Sequence, residues 1–279
     1  MMAQNFAFAI TSFAPGIAVP QIVAGFNKTE YFALVGVLYS LSQTVVAPVA
    51  ACLGDRIGRK WINTGSLILF CIASLMTYFS QSFVMFLISW TICGVCVGGF
   101  VTGPYLIIYD SFDKASWGKV IASIVSAMSA GMIVGPLVAG LIVDTGWLRG
   151  VYLLPLPFYL ISVILTWIAY PKKRGAGTLK FDGPGVLWLT LSVTAFVVIL
   201  NFAGNLFAWN SVTTYILLAV LIVATYLLIK RDTKIDQPAV QLNVLKNRNV
   251  LICSVLSFLY ASYAVLSAGF LVYFAQAVL

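Results

Sequence analysis

Long apolar runs separated by short polar pieces repeat along the whole chain. A bilayer core of about 30 Å takes roughly 20 apolar residues in a helix. About nine runs reach that length: 4–26, 32–53, 62–80, 84–108, 119–142, 151–170, 185–204, 213–230 and 250–275. The pieces between them include NKTE, GDRIGRKW, YDSFDKASWGK, DTGWLRG and PKKRGAGTLKFDGPG. The pattern predicts an all-α polytopic membrane protein of about nine transmembrane helices.

Composition agrees. Hydrophobic residues make up 61% of the 279 and charged residues 9%, where a soluble domain carries about 25% charged. Such a chain lacks the polar surface to cover two soluble domains. MMAQNFAFAI has no basic leader and no clear cleavage site, so it is expected to open the first span rather than serve as a signal peptide.

Charge then sets an expected orientation. With the N-terminus inside and loops alternating, 14 of the 16 basic residues fall on the inside and only Lys28 and Arg149 outside. Cytoplasmic loops carry such an excess, and a miscount by one helix would destroy the asymmetry. The net charge of +8 is therefore topological: the partner it implies is a lipid bilayer, with no nucleic acid. Cys52, Cys71, Cys93, Cys96 and Cys253 all lie in apolar runs and are expected to pack as small hydrophobes; the Cys93–Cys96 pair lacks the polar neighbours of a redox or metal motif. There is no histidine, which removes His-based proton relays and His–metal sites. Without a nucleophile–base set, phosphate loop or metal cluster, no enzyme and no cofactor is expected.

GDRIGRK is richer than an anchor needs. Asp55 is placed to reach the N-terminal end of the third span, where free N–H groups favour an anion. Gly58 permits a tight or left-handed turn, and Arg59 and Lys60 are expected to meet carboxylates or helix C-termini. In the fifth run, SAGMIVGPLVAGLI spaces small residues so that helix backbones approach closely, with Pro136 freeing a carbonyl.

These residues resemble the major facilitator superfamily. LGDRIGRK is similar to its loop signature G-x-L-A-D-R-x-G-R-K, through Leu53, Asp55, Arg56, Gly58, Arg59 and Lys60, with Ala51 for the leading Gly. The resemblance implies a conformational latch between two halves. Gly131, Gly135, Pro136 and Gly140 resemble the exporter signature G-x-x-x-G-P-x-x-G-G, with Ala139 for one Gly. AVPQI, FDGPG, FAWNS and QPAVQLNVLKNRNV are similar to the fourteen-helix drug:proton antiporter branch. The implied organisation is a six-helix bundle over 1–170, a cytoplasmic linker over 171–184, an inserted helix pair over 185–230, a cytoplasmic loop over 231–249 and the first helix of a second bundle over 250–279, with five more helices to follow. The implied location is the cell membrane, and the implied activity is alternating-access export of small organic molecules.

Departures bear on coupling. Trp90 stands where that family has an Arg, Cys93 replaces a Gln, and Thr11 stands where the branch has an Asp. Every acidic residue maps to a loop or helix end, which leaves Asp110 as the nearest coupling candidate; a proton remains possible as the coupling ion. Candidate cavity residues are Tyr39, Ser40, Gln43, Trp90, Tyr105, Ser126, Tyr260 and Tyr263; each Ser can instead bond its own backbone. The set suits an uncharged or weakly polar small-molecule substrate. Rival readings are a membrane receptor or sensor that kept the fold without coupling, a non-functional truncated product and, more remotely, an oligomeric channel.

Overall fold

A computed structural model describes residues 1–170, 182–204, 207–232 and 247–260. Among them every regular element is a helix. Seven of these helices are long and apolar enough to cross a membrane, or eight when one bent pair counts as a single span. The ninth expected run begins as the apolar helix Arg248–Tyr260; its remainder, like most of the expected linker over 171–184 and loop over 231–249, lies outside the described residues.

The first span is two helices rather than one: α1 (Met2–Phe13) and α2 (Pro15–Gly25), bent by 42°. Pro15 has no N–H to give and its ring crowds the carbonyl four residues back, which breaks the ladder. Next come α3 (Phe32–Ile57) and α4 (Arg59–Tyr78). The expected polar loop between them shrinks to one residue, Gly58, at φ 117°, a backbone region that favours glycine. α5 (Phe83–Phe100) and α6 (Gly103–Ser111) form the fourth span, and α7 (Trp117–Asp144) the fifth. A short 3-10 turn, Leu148–Tyr152, leads into α8 (Leu156–Ala169). α9 (Gly183–Phe202) and α10 (Val212–Asp232) pack on one another, and α9 also lies against α3. Arg248–Tyr260 is α11.

Helices in lipid gain little from burying apolar surface, so close fit holds them together. α3 and α5 meet through glycine: a Cβ at Gly94 would lie 2.5 Å from the Tyr39 carbonyl oxygen, and one at Gly98 2.6 Å from that of Gln43. α1 and α7 meet the same way, with Gly131 against Phe6 and Gly135 against Ile10. Around these contacts Phe70, Phe86, Phe100, Tyr152 and Tyr159 are fully buried.

Gly98→Val is expected to force α3 and α5 apart and to cost about 1–3 kcal/mol, the usual scale of overpacking. Gly65→Val, at a helix position with no atom within 4 Å of a new Cβ, is expected to be tolerated. Unfolding of both variants in mixed micelles checks the difference; equal stability would remove the close approach as its cause.

Candidate functional site

The charged residues of GDRIGRK organise the Gly58 end of the bundle. α3 stays helical to Ile57, which puts Asp55 in its last turn, one turn before Arg59. Asp55 therefore does not cap α4, whose start at Gly58 carries no side-chain cap. Its carboxylate instead accepts from Arg59 Nε at 3.0 Å and Arg59 Nη2 at 2.9 Å. The same guanidinium reaches Asp110 Oδ2 at 3.0 Å and the Leu106 carbonyl at 3.1 Å, both on α6. Tyr170, just past α8, donates its hydroxyl to Asp110 at 3.1 Å. Burial and the Asp110 carboxylate push that hydroxyl up to about 12, so it remains a donor throughout the physiological range. Arg56 is exposed on the same turn.

Lys60 faces the other way. It is 8% exposed, and its Nζ donates to the carbonyls of Trp167 at 2.8 Å and Tyr170 at 2.6 Å. These carbonyls lie at the C-terminal end of α8, where unpaired carbonyls and the helix dipole attract a cation. A third tie joins α9 to α10: Asp182 accepts from the Gly185 N–H at 3.0 Å and from Arg231 Nε at 2.6 Å.

The small-residue signature of α7 divides. Gly131 and Gly135 touch α1, and Ala139 is buried. A Cβ added at Gly140 would meet nothing within 4 Å, so this glycine makes no close helix contact among the described residues. Pro136 is half-buried inside α7.

Among the described residues the candidate cavity residues take different settings. Trp90 is 5% exposed, stacked on Tyr39 at 4.6 Å and edge-on to Tyr152 at 5.1 Å; it is a packed core residue. The hydroxyls of Tyr39 and Tyr152 are buried with no hydrogen-bond partner among the described residues. Thr11 is buried and shares a 3.1 Å hydrogen bond with Tyr159. Ser40 and Ser126 are exposed, and each donates to the carbonyl four residues back, at 2.9 Å in both cases. Gln43 and Tyr105 are half-buried and Tyr260 is exposed; Tyr263 lies outside the described residues. Cys71, Cys93 and Cys96 are buried free thiols, whereas Cys52 is half-buried and Cys253 exposed. The last faces outward because α11 is exposed along nearly all its described length.

Two features are not apparent from the sequence pattern. Gly94 and Gly98 carry the α3–α5 contact, and their spacing of four inside CGVCVGG is the available signal. The second is a buried polar cross-link. Gln4 Nε2 donates to Asn63 Oδ1 at 2.9 Å and to the Phe100 carbonyl at 3.1 Å, while Gln4 Oε1 accepts from Asn63 at 3.3 Å and Ser162 at 3.4 Å. It joins α1, α4, α5 and α8. An amide in the first turn of an apolar helix is its only trace.

The family model of the Major Facilitator Superfamily matches residues 1–279, and the chain belongs to that superfamily. It is similar to Multidrug resistance protein 3 of Bacillus subtilis, at 26% identity over 94% of this chain and 51% of that protein. Multidrug transporter protein MdtP of Bacillus subtilis is 25% identical over 87% of this chain and 45% of its own length. The Acurin A biosynthesis cluster MFS-type transporter of Aspergillus aculeatus is 25% identical over 99% of this chain and 51% of its own length. The chain thus spans about half the length of the curated relatives it matches.

Lys60→Met is expected to destabilise the bundle by up to about 2 kcal/mol, because it strips a buried helix end of its cation. Asp55→Asn is expected to cost less than about 1 kcal/mol, since Asp55 is 42% exposed in its pair with Arg59 and such pairs are weak. Denaturant titration in micelles of both variants checks the order; a larger loss for Asp55→Asn would reverse it.

Proposed function

We propose that this superfamily member is a secondary transporter of small organic molecules, an exporter working by alternating access. The observation that carries this reading is the match of the whole chain to the superfamily, together with relatives named as multidrug transporters. Geometry adds support for a rocking mechanism. One guanidinium, Arg59, holds the ends of α3, α4 and α6 together, so a change in that single pairing reaches three helices. The family's latch role falls on Asp55, Arg56, Gly58, Arg59 and Lys60. Within residues 1–170, the spans of α3 and α7 have 12% and 17% of their most apolar stretches buried, against 44% for α4, 56% for α5 with α6 and 33% for the span ending in α8. Their free faces carry Ser40, Thr44, Ser126 and Ser129 with hydroxyls already bonded to their own helices. Such faces suit a second bundle and a weakly polar substrate path between the two.

A carboxylate in mid-membrane is costly and marks an ion path. Among the described residues Glu30, Asp55, Asp110, Asp113, Asp144, Asp182 and Asp232 all sit at helix ends or in the turns between helices. We therefore read the described spans as binding no proton by carboxylate, with Asp110 serving the Arg59 cluster. The receptor or sensor reading draws on the same observation and on Trp90, which is packed where the family has an Arg.

Flux in proteoliposomes separates these readings. Asp55→Asn is expected to slow substrate efflux severalfold while leaving insertion and yield nearly unchanged. Efflux driven by an imposed pH gradient that vanishes with Asp110→Asn would place coupling in the described helices and overturn the proton reading. Absence of any flux from folded protein would favour a receptor. For orientation, single cysteines at Ile57 and Gln81, in a background free of the native five, are expected to label from opposite sides of the membrane, Ile57 from the cytoplasm.

A further inference from the structure

At the end of the bundle opposite Gly58, the turns after α4 and α7 enclose an open cleft of about 500 Å3. Its lining includes Tyr78, Phe79, Gln81, Trp147 and Arg149. Trp147 donates its indole N–H to the Tyr78 hydroxyl at 3.2 Å, and the two rings meet edge to face at 6.1 Å. Arg149 lies over the Phe26 ring at 5.4 Å. No carboxylate among the described residues pairs with its guanidinium. A guanidinium thus borders the cleft with its donors unclaimed by any carboxylate among the described residues.

The surroundings say what kind of anion fits. Tyr78 and Phe79 end a stripe of exposed apolar residues along α4, formed by Ile68, Leu69, Ile72, Leu75 and Met76. Phe79 and Trp147 are themselves 64% and 50% exposed. The cleft therefore sits where an apolar helix face gives way to polar turns, the level at which Trp and Tyr gather at a membrane interface. A soluble anion would have no use for the stripe. A lipid uses both parts, because its phosphate and its acyl chain meet the protein at adjacent depths. An Arg at this level meets a phosphate through charge-assisted hydrogen bonds, and the volume lies within the range of small-molecule sites.

We propose that this cleft binds the headgroup of an anionic phospholipid, with Arg149 on the phosphate and an acyl chain along the exposed stripe of α4. Arg149 supplies planar paired donors that match a phosphate. Tyr78 and Trp147 form the wall beside it, already joined by their own hydrogen bond. Lys28, another basic residue at this end, is exposed over the Tyr31 ring at 5.6 Å and does not line the cleft. It serves as the control for general attraction of lipid to positive charge.

The test is titration of the purified protein in neutral-detergent micelles with phosphatidylglycerol, read by native mass spectrometry as lipid retained and by thermal shift. Phosphatidylcholine and inorganic phosphate are run in parallel. Arg149→Gln is expected to weaken phosphatidylglycerol binding about fivefold, the scale of one basic residue at a membrane surface. Arg149→Lys, which keeps the charge without the planar fork, is expected to lose less than Arg149→Gln, and Lys28→Gln leaves the binding unchanged. Phe79→Ala, which ends the stripe early, is expected to weaken the two-chain lipid without affecting a short-chain glycerophosphate. Wild-type affinity in folded Arg149→Gln overturns the proposal, as does an equal loss in Lys28→Gln. Inorganic phosphate that displaces the lipid at equal concentration would make this a free-anion site and overturn the lipid assignment. Should Arg149→Gln fail to fold, Arg149→Lys and Phe79→Ala carry the same decision. None of these readouts uses transport, so their failure is distinct from failure of the transport reading.

Discussion

Fit between helix backbones is the constraint on which the rest of this bundle depends. Lipid tails are as apolar as leucine, so burying a leucine against a neighbouring helix gains little, and dispersion and interhelical hydrogen bonds must hold the spans together. Glycine supplies that closeness at two crossings, with Gly94 and Gly98 against α3 and Gly131 and Gly135 against α1. The consequences are local and traceable. The Tyr39 carbonyl that abuts Gly94 belongs to the residue whose ring stacks on Trp90. A larger residue at 94 would displace that ring as well as the helix.

Polar chemistry is divided by depth. Cations and carboxylates tie helix ends: Arg59 joins α3, α4 and α6, Lys60 joins α4 to α8, and Arg231 joins α10 to the cap of α9. Inside the bundle the ties are neutral amides and hydroxyls, namely Gln4 with Asn63 and Ser162, and Thr11 with Tyr159. The division follows from solvation. An ion at a helix end meets unpaired backbone groups or an opposite charge, whereas the same ion in mid-bundle would lose its water for one partner in return. Neutral pairs carry less desolvation and are correspondingly modest, about 0.6 kcal/mol on average between membrane helices.

The helical membrane class is legible in the sequence because hydropathy acts over long stretches: about twenty apolar residues in a row leave few alternatives. Turns are less legible. The residues of GDRIGRK announce an ordered connection, but a short polar stretch does not disclose that only Gly58 lies outside helix, and so its pattern puts Asp55 on the wrong helix end. The Pro15 break has a visible cause that an averaged apolar run conceals. Trp90 and Ser126 show the other limit. A polar or aromatic residue in a membrane helix faces a neighbour, lipid or its own backbone, and rotation about the helix axis, set by distant glycines, decides which. Gln4 shows as an amide in an apolar helix, but its partners lie 59, 96 and 158 residues away, beyond any local pattern.

Those separations also impose an order on biogenesis. Asn63 leaves the ribosome well before Ser162, and the two are roughly 100 residues apart, so at synthesis rates of about 5–20 residues per second the interval is on the order of 5–20 s. During that time the Gln4 amide has one of its side-chain partners but not the other, and α1 is held only in part. The cross-link is therefore closed in chain order, with Asn63 on α4 available to Gln4 first and Ser162 on α8 last.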